Sequence, residues 1–130
     1  MKRARFLIAS VIAASYPGVI FACGACVEDR IAATYDHRVV IKAIAHDQQV
    51  VFVAIDGPGR PGTNRARLMA AAAKVRGVQL ATLRTSEAPA AFSFALDAAQ
   101  EPKTAISGFQ KALGDSKVEL SLVRVMRNLP

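Results

Sequence analysis

The strongest signal of secondary structure in the chain is the apolar segment Gln49-Val50-Val51-Phe52-Val53-Ala54-Ile55, which is followed directly by Asp56-Gly57-Pro58-Gly59-Arg60-Pro61-Gly62. The first part is rich in β-branched residues and too short for a buried helix, so residues 49–55 are predicted to form a buried strand. The glycines and prolines of residues 56–62 predict a loop directly after it.

Further elements follow along the chain towards the C-terminus. Apolar residues recur every three to four positions in two segments, 65–76 and 101–113, and predict two helices. Thr63 or Asn64 is the expected N-cap of the first helix, and the glycines Gly77 and Gly114 are expected just beyond the two helix ends. Alternating apolar residues predict three more strands, at 78–84, 90–96 and 118–126.

Two segments before the first strand, 27–34 and 38–45, also have helical spacing, with Asp36 as a plausible N-cap between them. They predict one kinked helix or two short ones. The whole order is then a helical segment followed by β-α-β-β-α-β, which is the split βαβ pattern of the ferredoxin-like α+β fold. That fold is a sandwich with two helices on one face of an antiparallel sheet.

The expected strand order in that sheet is 4-1-3-2. This order makes the strands at 49–55 and 90–96 neighbours in the middle of the sheet. The candidates for its buried face are Val51, Val53, Phe92 and Phe94.

The N-terminal end is basic and then apolar: Met1-Lys2-Arg3-Ala4-Arg5 precedes a nine-residue apolar run, 6–14, and Pro17-Gly18. This pattern predicts a secretory signal peptide over residues 1–22 with cleavage after Ala22. The run is shorter than the roughly 20 residues that span a bilayer. We therefore expect a periplasmic or secreted protein with a signal peptide (1–22), a helical extension (23–47) and a ferredoxin-like domain (48–130).

The net charge argues against nucleic acid as a partner. It is +7 for the whole chain, but removal of residues 1–22 leaves 14 basic against 10 acidic residues, a net charge of +4. A modest surplus of this kind is typical of a solvated surface. No Ser-His-Asp or paired-carboxylate spacing is found, and we do not expect an enzyme.

The two cysteines of the chain, Cys23 and Cys26, stand two residues apart just before the first predicted helix. Unsatisfied N–H groups and the positive dipole end at a helix start favour thiolates. Two thiolates side by side suit soft cations such as Cu(I), and also bind zinc or mercury. Cys23 and Cys26 are therefore the candidate metal ligands.

The sequence Cys23-Gly24-Ala25-Cys26-Val27, followed by a helix, resembles the metal-binding loop of the heavy-metal-associated domain, the copper-chaperone-like family. The resemblance implies a ferredoxin-like fold and makes Cys23 and Cys26 ligands for copper or another soft metal. It implies that the protein binds or transfers this ion, with an envelope protein as partner. In the family the loop follows the first strand, whereas here the pair precedes an extra helix and the matching loop, 56–64, has no cysteine.

Three other interpretations of the pair stay open. The cysteines form a structural disulfide in a non-catalytic interaction module, or Cys23 is lipidated and brings the protein to a membrane, since Ile20-Phe21-Ala22-Cys23 contains part of a lipobox. In the third interpretation they are a dithiol that serves as a thiol redox partner.

Two further groups of residues have a possible role in ligand binding. His37 and His46 lie nine residues apart and would share a site only if their helix were kinked, so each is expected to be a surface or capping histidine. Arg60, Arg65 and Arg67 fall near a predicted helix N-terminus, where anions bind readily. A glycine- and proline-rich loop capped by asparagine is the commoner explanation for that segment.

Overall fold

A computed structural model describes residues 27–128 of the chain and shows an α+β protein built on a four-stranded antiparallel sheet. In order, its elements are α1 (Val27–Thr34), α2 (His37–Ala45), β1 (Gln48–Asp56), a 3-10 turn (Arg60–Gly62), α3 (Arg65–Ala72), β2 (Val78–Glu87), β3 (Ala90–Asp97), α4 (Pro102–Leu113) and β4 (Glu119–Met126). None of the helices in this part of the chain is both long enough and apolar enough to cross a membrane.

The sheet has the order β2-β3-β1-β4, which is the predicted order 4-1-3-2 counted from its other edge. The predicted pairing of the two central strands is confirmed, because Val51 lies opposite Phe94 and Val53 opposite Phe92. β1 is buried from Gln49 to Ile55 on both of its faces. A strand that is buried on both faces requires a packed layer on each side of the sheet.

On one face the sheet packs against α3 and α4. Phe92 and Phe94 from β3 meet Phe109 from α4, with ring centroids 4.9 Å from that of Phe109 in both pairs. All three rings are buried, together with Val51 and Val53. The predicted buried face is therefore confirmed.

On the opposite face the sheet packs against α1 and α2. Val50 and Phe52 of β1 point to this side and are buried against Ile31 of α1 and Val40 of α2. The sequence placed these helices in an extension and assigned them no packing partner. In the structure they form the third layer of the molecule.

Helix α1 runs across the sheet and contacts every strand of it. Polar contacts tie α1 and the residues after it to the strands in their spatial order. From one edge to the other they are Arg124–Glu28 to β4, Arg30–Asp56 to β1, Ser93–Thr34 to β3 and Arg84–Asp36 to β2. Three polar contacts from α1 and one from Asp36, two residues after it, thus link this part of the chain to all four strands.

Most predicted element ends are confirmed within one residue, and two are wrong. Asp36 and Asn64 accept N-cap hydrogen bonds as predicted, and Gly114 follows α4 in the left-handed conformation. The helix predicted over 65–76 ends at Ala72, and irregular turns reach Gly77, whose φ is +85°. β2 continues beyond residue 84 to Glu87, with a break in its pairing to β3 between Gln79 and Arg84.

Candidate functional site

The predicted metal ligands, Cys23 and Cys26, lie outside the described residues. The structure does place the residue that follows them, Val27, at the start of α1, where it is 52% exposed. Glu28 in the first turn accepts a hydrogen bond of 2.9 Å from Arg124 on the edge strand β4. The cysteine pair therefore directly precedes, in sequence, a helix whose first turn is hydrogen-bonded to the edge strand of the sheet.

The two histidines stand at opposite ends of α2 and do not share a site. His37 opens the helix, and its Nδ1 lies 3.1 Å from the hydroxyl of Tyr35. His46 follows the last turn, with Nδ1 2.7 Å from the carbonyl oxygen of Lys42. Both side chains are exposed, as expected for surface or capping histidines. Within residues 27–128, no three His, Cys, Asp or Glu side chains are grouped so that they could hold a metal ion.

The arginines of the loop before α3 do not converge on an anion site. Arg65 donates to the carbonyl oxygen of Leu83 at 3.2 Å. Arg67 donates to the carbonyl oxygens of Gly62 and Leu113 at 3.0 and 3.2 Å. Both guanidinium groups thus bond to backbone carbonyl oxygens, and the loop is capped by Asn64 as predicted.

A groove of about 760 Å³, the hairpin groove, lies at the end of the sheet where β2 turns into β3. Arg30 and Arg60 line it together with Glu87, and Arg30 makes a two-pronged ion pair with Asp56, with N–O distances of 2.9 and 3.2 Å. The charges around this groove therefore balance, and the groove has no single charge preference.

A second groove, the basic groove, lies between α2 and the edge strand β2 and encloses about 430 Å³. Its polar lining includes Arg38, Lys42, His46, Gln79, Thr82 and Arg84. No aspartate or glutamate belongs to the described residues that line it. Sequence reasoning missed this site, although the basic residues at 38, 42 and 46 are spaced four apart on a predicted helix.

One cation of the basic groove is neutralised by a carboxylate outside it. The Nε of Arg84 donates to Asp36 at 2.9 Å, and Asp36 also accepts from the backbone N–H groups of Arg38 and Val39. The hydrogen bond from Arg84 is the main cause that lowers the pKa of Asp36, and the two backbone hydrogen bonds lower it further. The positive charge that remains along the groove is that of Arg38 and Lys42.

Comparisons of the chain with protein-family models, with curated proteins and with solved structures found no match. The functional assignment therefore rests on the residues and their geometry.

Proposed function

We propose that this chain is a small exported, non-catalytic protein that binds or passes on a soft metal ion, such as Cu(I), through Cys23 and Cys26. The observation that carries the proposal is the C-x-x-C spacing directly before α1, because two thiolates two residues apart at a helix start can face one cation. An envelope protein that delivers or receives the ion is the expected partner, and the periplasm or the extracellular space is the expected location.

We further propose that the sheet and its two later helices form a ferredoxin-like unit. The strand order β2-β3-β1-β4 and the placing of α3 and α4 on one face support this. The layer formed by α1 and α2 is an addition to that unit. The addition covers the face that ferredoxin-like RNA-binding domains expose, and it buries Phe52.

The anchoring of α1 supports the metal proposal. Glu28, Arg30 and Thr34 of this helix make polar contacts to β4, β1 and β3, so the helix that directly follows the cysteine pair is held on the sheet. Of the two acidic residues in its first turn, Glu28 is paired with Arg124, so only Asp29 adds an acidic group that is not paired among the described residues.

Titration of the reduced, purified protein with Cu(I) under anaerobic conditions tests the proposal. We expect one ion per chain, and we expect Cys23→Ser and Cys26→Ser each to abolish binding with an unchanged circular dichroism spectrum. Ala25→Ser is the matched control, because it adds the same hydroxyl between the cysteines and keeps both thiols. Binding no tighter than that of a small free dithiol refutes the metal function.

The second candidate is a non-catalytic interaction module in which the cysteines are structural or lipidated. The uncompensated charge of the basic groove favours it, because such a surface suits a charged partner. The mass of the purified protein separates the cases. Acyl groups on Cys23 indicate a lipoprotein, whereas the loss of two hydrogens indicates a disulfide. A disulfide that exchanges readily with a dithiol reagent indicates the third candidate, a redox partner.

A further inference from the structure

The basic groove has a regular arrangement of charge along one wall. Arg38, Lys42 and His46 follow one another at intervals of four residues, so they form one stripe along α2 and its C-cap residue, His46. Each step advances about 6 Å along the helix axis, and the stripe is about 12 Å long. All three side chains are exposed.

The two permanent cations of this stripe have no carboxylate partner in the described part of the chain. The ion pairs found there involve Arg30, Arg67, Arg84 and Arg124, and neither Arg38 nor Lys42 takes part in one. Two unpaired cations beside a low-dielectric wall attract a negatively charged ligand more strongly than scattered surface charges do. The stripe is therefore open to an anionic partner.

The opposite wall is the interrupted part of β2, and its backbone is already engaged. Arg84 donates to the carbonyl oxygens of Ala81 and Leu83 at 3.1 Å, and Arg65 donates to Leu83 as well. These contacts disfavour the addition of a partner strand along this part of β2, because its carbonyl oxygens already have hydrogen-bond donors. Recognition in the groove is then left mainly to the side chains of α2, because Thr82 already bonds the backbone of Gln79 and Ala95 and the Gln79 amide donates to Asp97.

Part of the lining of the groove is apolar. Val39 and Ala43 of α2 form part of it, and both are buried. The described lining contains no Phe, Tyr or Trp on which a nucleobase could stack. An extended polypeptide fits these features better than a nucleic acid does.

We propose that the basic groove binds an extended acidic segment of a partner protein, with carboxylates at alternating positions. Side chains on one face of an extended chain repeat every 6.6–6.8 Å or so, which is close to the step of about 6 Å along α2. Such a segment places one carboxylate at Arg38 and the next at Lys42, with a third near His46. The proposal does not depend on the cysteine pair and survives if that pair binds no metal.

Fluorescence anisotropy with the purified protein tests this at low ionic strength. The probe is a labelled octapeptide that alternates glutamate and serine, and the comparison peptide has the same composition with the four glutamates in a block. We expect the alternating peptide to bind more tightly. The double variant Arg38→Gln/Lys42→Gln should weaken its binding by about tenfold, since two exposed ion pairs contribute up to about 1 kcal/mol each.

The matched control is Lys103→Gln/Lys111→Gln, which removes the same charge from exposed positions on α4 at the other face of the sheet. The control should bind the alternating peptide like the unchanged protein. Thermal unfolding of both double variants checks that the fold is intact. Equal weakening by the two double variants, equal affinity for the two peptides, or no binding overturns the proposal. The proposal is also overturned if vesicles with phosphatidylglycerol, or single-stranded DNA, bind more tightly than the alternating peptide and this binding depends on Arg38 and Lys42.

Discussion

Truncation of Phe52 to alanine tests whether α1 and α2 truly belong to the folded unit. Phe52 is 1% exposed and packs under these two helices, whereas Phe94 on the neighbouring strand is 0% exposed and packs under α3 and α4. The two side chains are of one type and lie on the two faces of one sheet. The changes Phe52→Ala and Phe94→Ala therefore compare the two layers directly.

Each change should lower the free energy of unfolding by about 3–5 kcal/mol, the usual loss for a fully buried phenylalanine. This value has two parts: the free energy gained when the ring is buried away from water, which the variant no longer gains, and the cost of the cavity that the missing ring leaves. Leu122→Ala is the control, because Leu122 lies on β4 but is 37% exposed. Leu122→Ala should lower the free energy of unfolding by less than about 1.5 kcal/mol, since much of the side chain already contacts water.

Urea unfolding followed by circular dichroism measures all three variants. With an m-value of about 1–2 kcal/mol per molar urea, a loss of about 4 kcal/mol lowers the midpoint by about 2–4 M. A loss below about 1 kcal/mol for Phe52→Ala, beside a full loss for Phe94→Ala, would mean that the first two helices do not cover the sheet. A small loss for Phe94→Ala would refute the assignment of the other face.

Two further predictions concern the ion pair between Asp36 and Arg84 and the cleavage of the signal peptide. Asp36→Asn should keep the N-cap, since asparagine caps about as well as aspartate, but lose the ion pair with Arg84. The pKa of Asp36 is lower in the folded protein than in the unfolded chain. The ionised carboxylate therefore stabilises the fold at a pH above the pKa of the unfolded chain. This stabilisation is lost as the pH falls through the pKa of the folded protein. The difference in unfolding free energy between the two proteins should therefore shrink from pH 7 to below roughly pH 4, and a constant difference contradicts the prediction. For export, we expect the purified protein to begin at Cys23, as read by N-terminal sequencing; a chain that begins at Met1 would refute cleavage after Ala22.

Local signals made much of the fold predictable. The β-branched run before the glycine- and proline-rich loop marked β1, and the capping residues Asp36 and Asn64 marked two helix starts, because these choices depend on side chains a few residues apart. The strand order followed from short connections and the handedness of crossovers. In α3 the local signal was misleading, since the helix ends at Ala72 although apolar spacing continues to Val75.

The basic groove was hidden from sequence reasoning for a physical reason. The spacing of residues 38, 42 and 46 showed a basic stripe on a helix, but a stripe becomes a groove only when a second wall stands beside it. That wall is β2, which lies more than thirty residues further along the chain. The pairing of Asp36 with Arg84, which decides which cations stay free, joins positions 48 residues apart.

The order of helices and strands and most of their caps can be read from the sequence, because hydrophobic period and turn chemistry act over a few residues. The pairing of β1 with β3 followed from the connection rules for that order of elements. The packing of α1 and α2 on the second face of the sheet, with α1 in contact with all four strands, is seen in the tertiary structure alone. β1 contained a hint, since a strand that is apolar at consecutive positions needs cover on both sides. Which helices provide that cover depends on contacts between distant segments, and packing in three dimensions selects them.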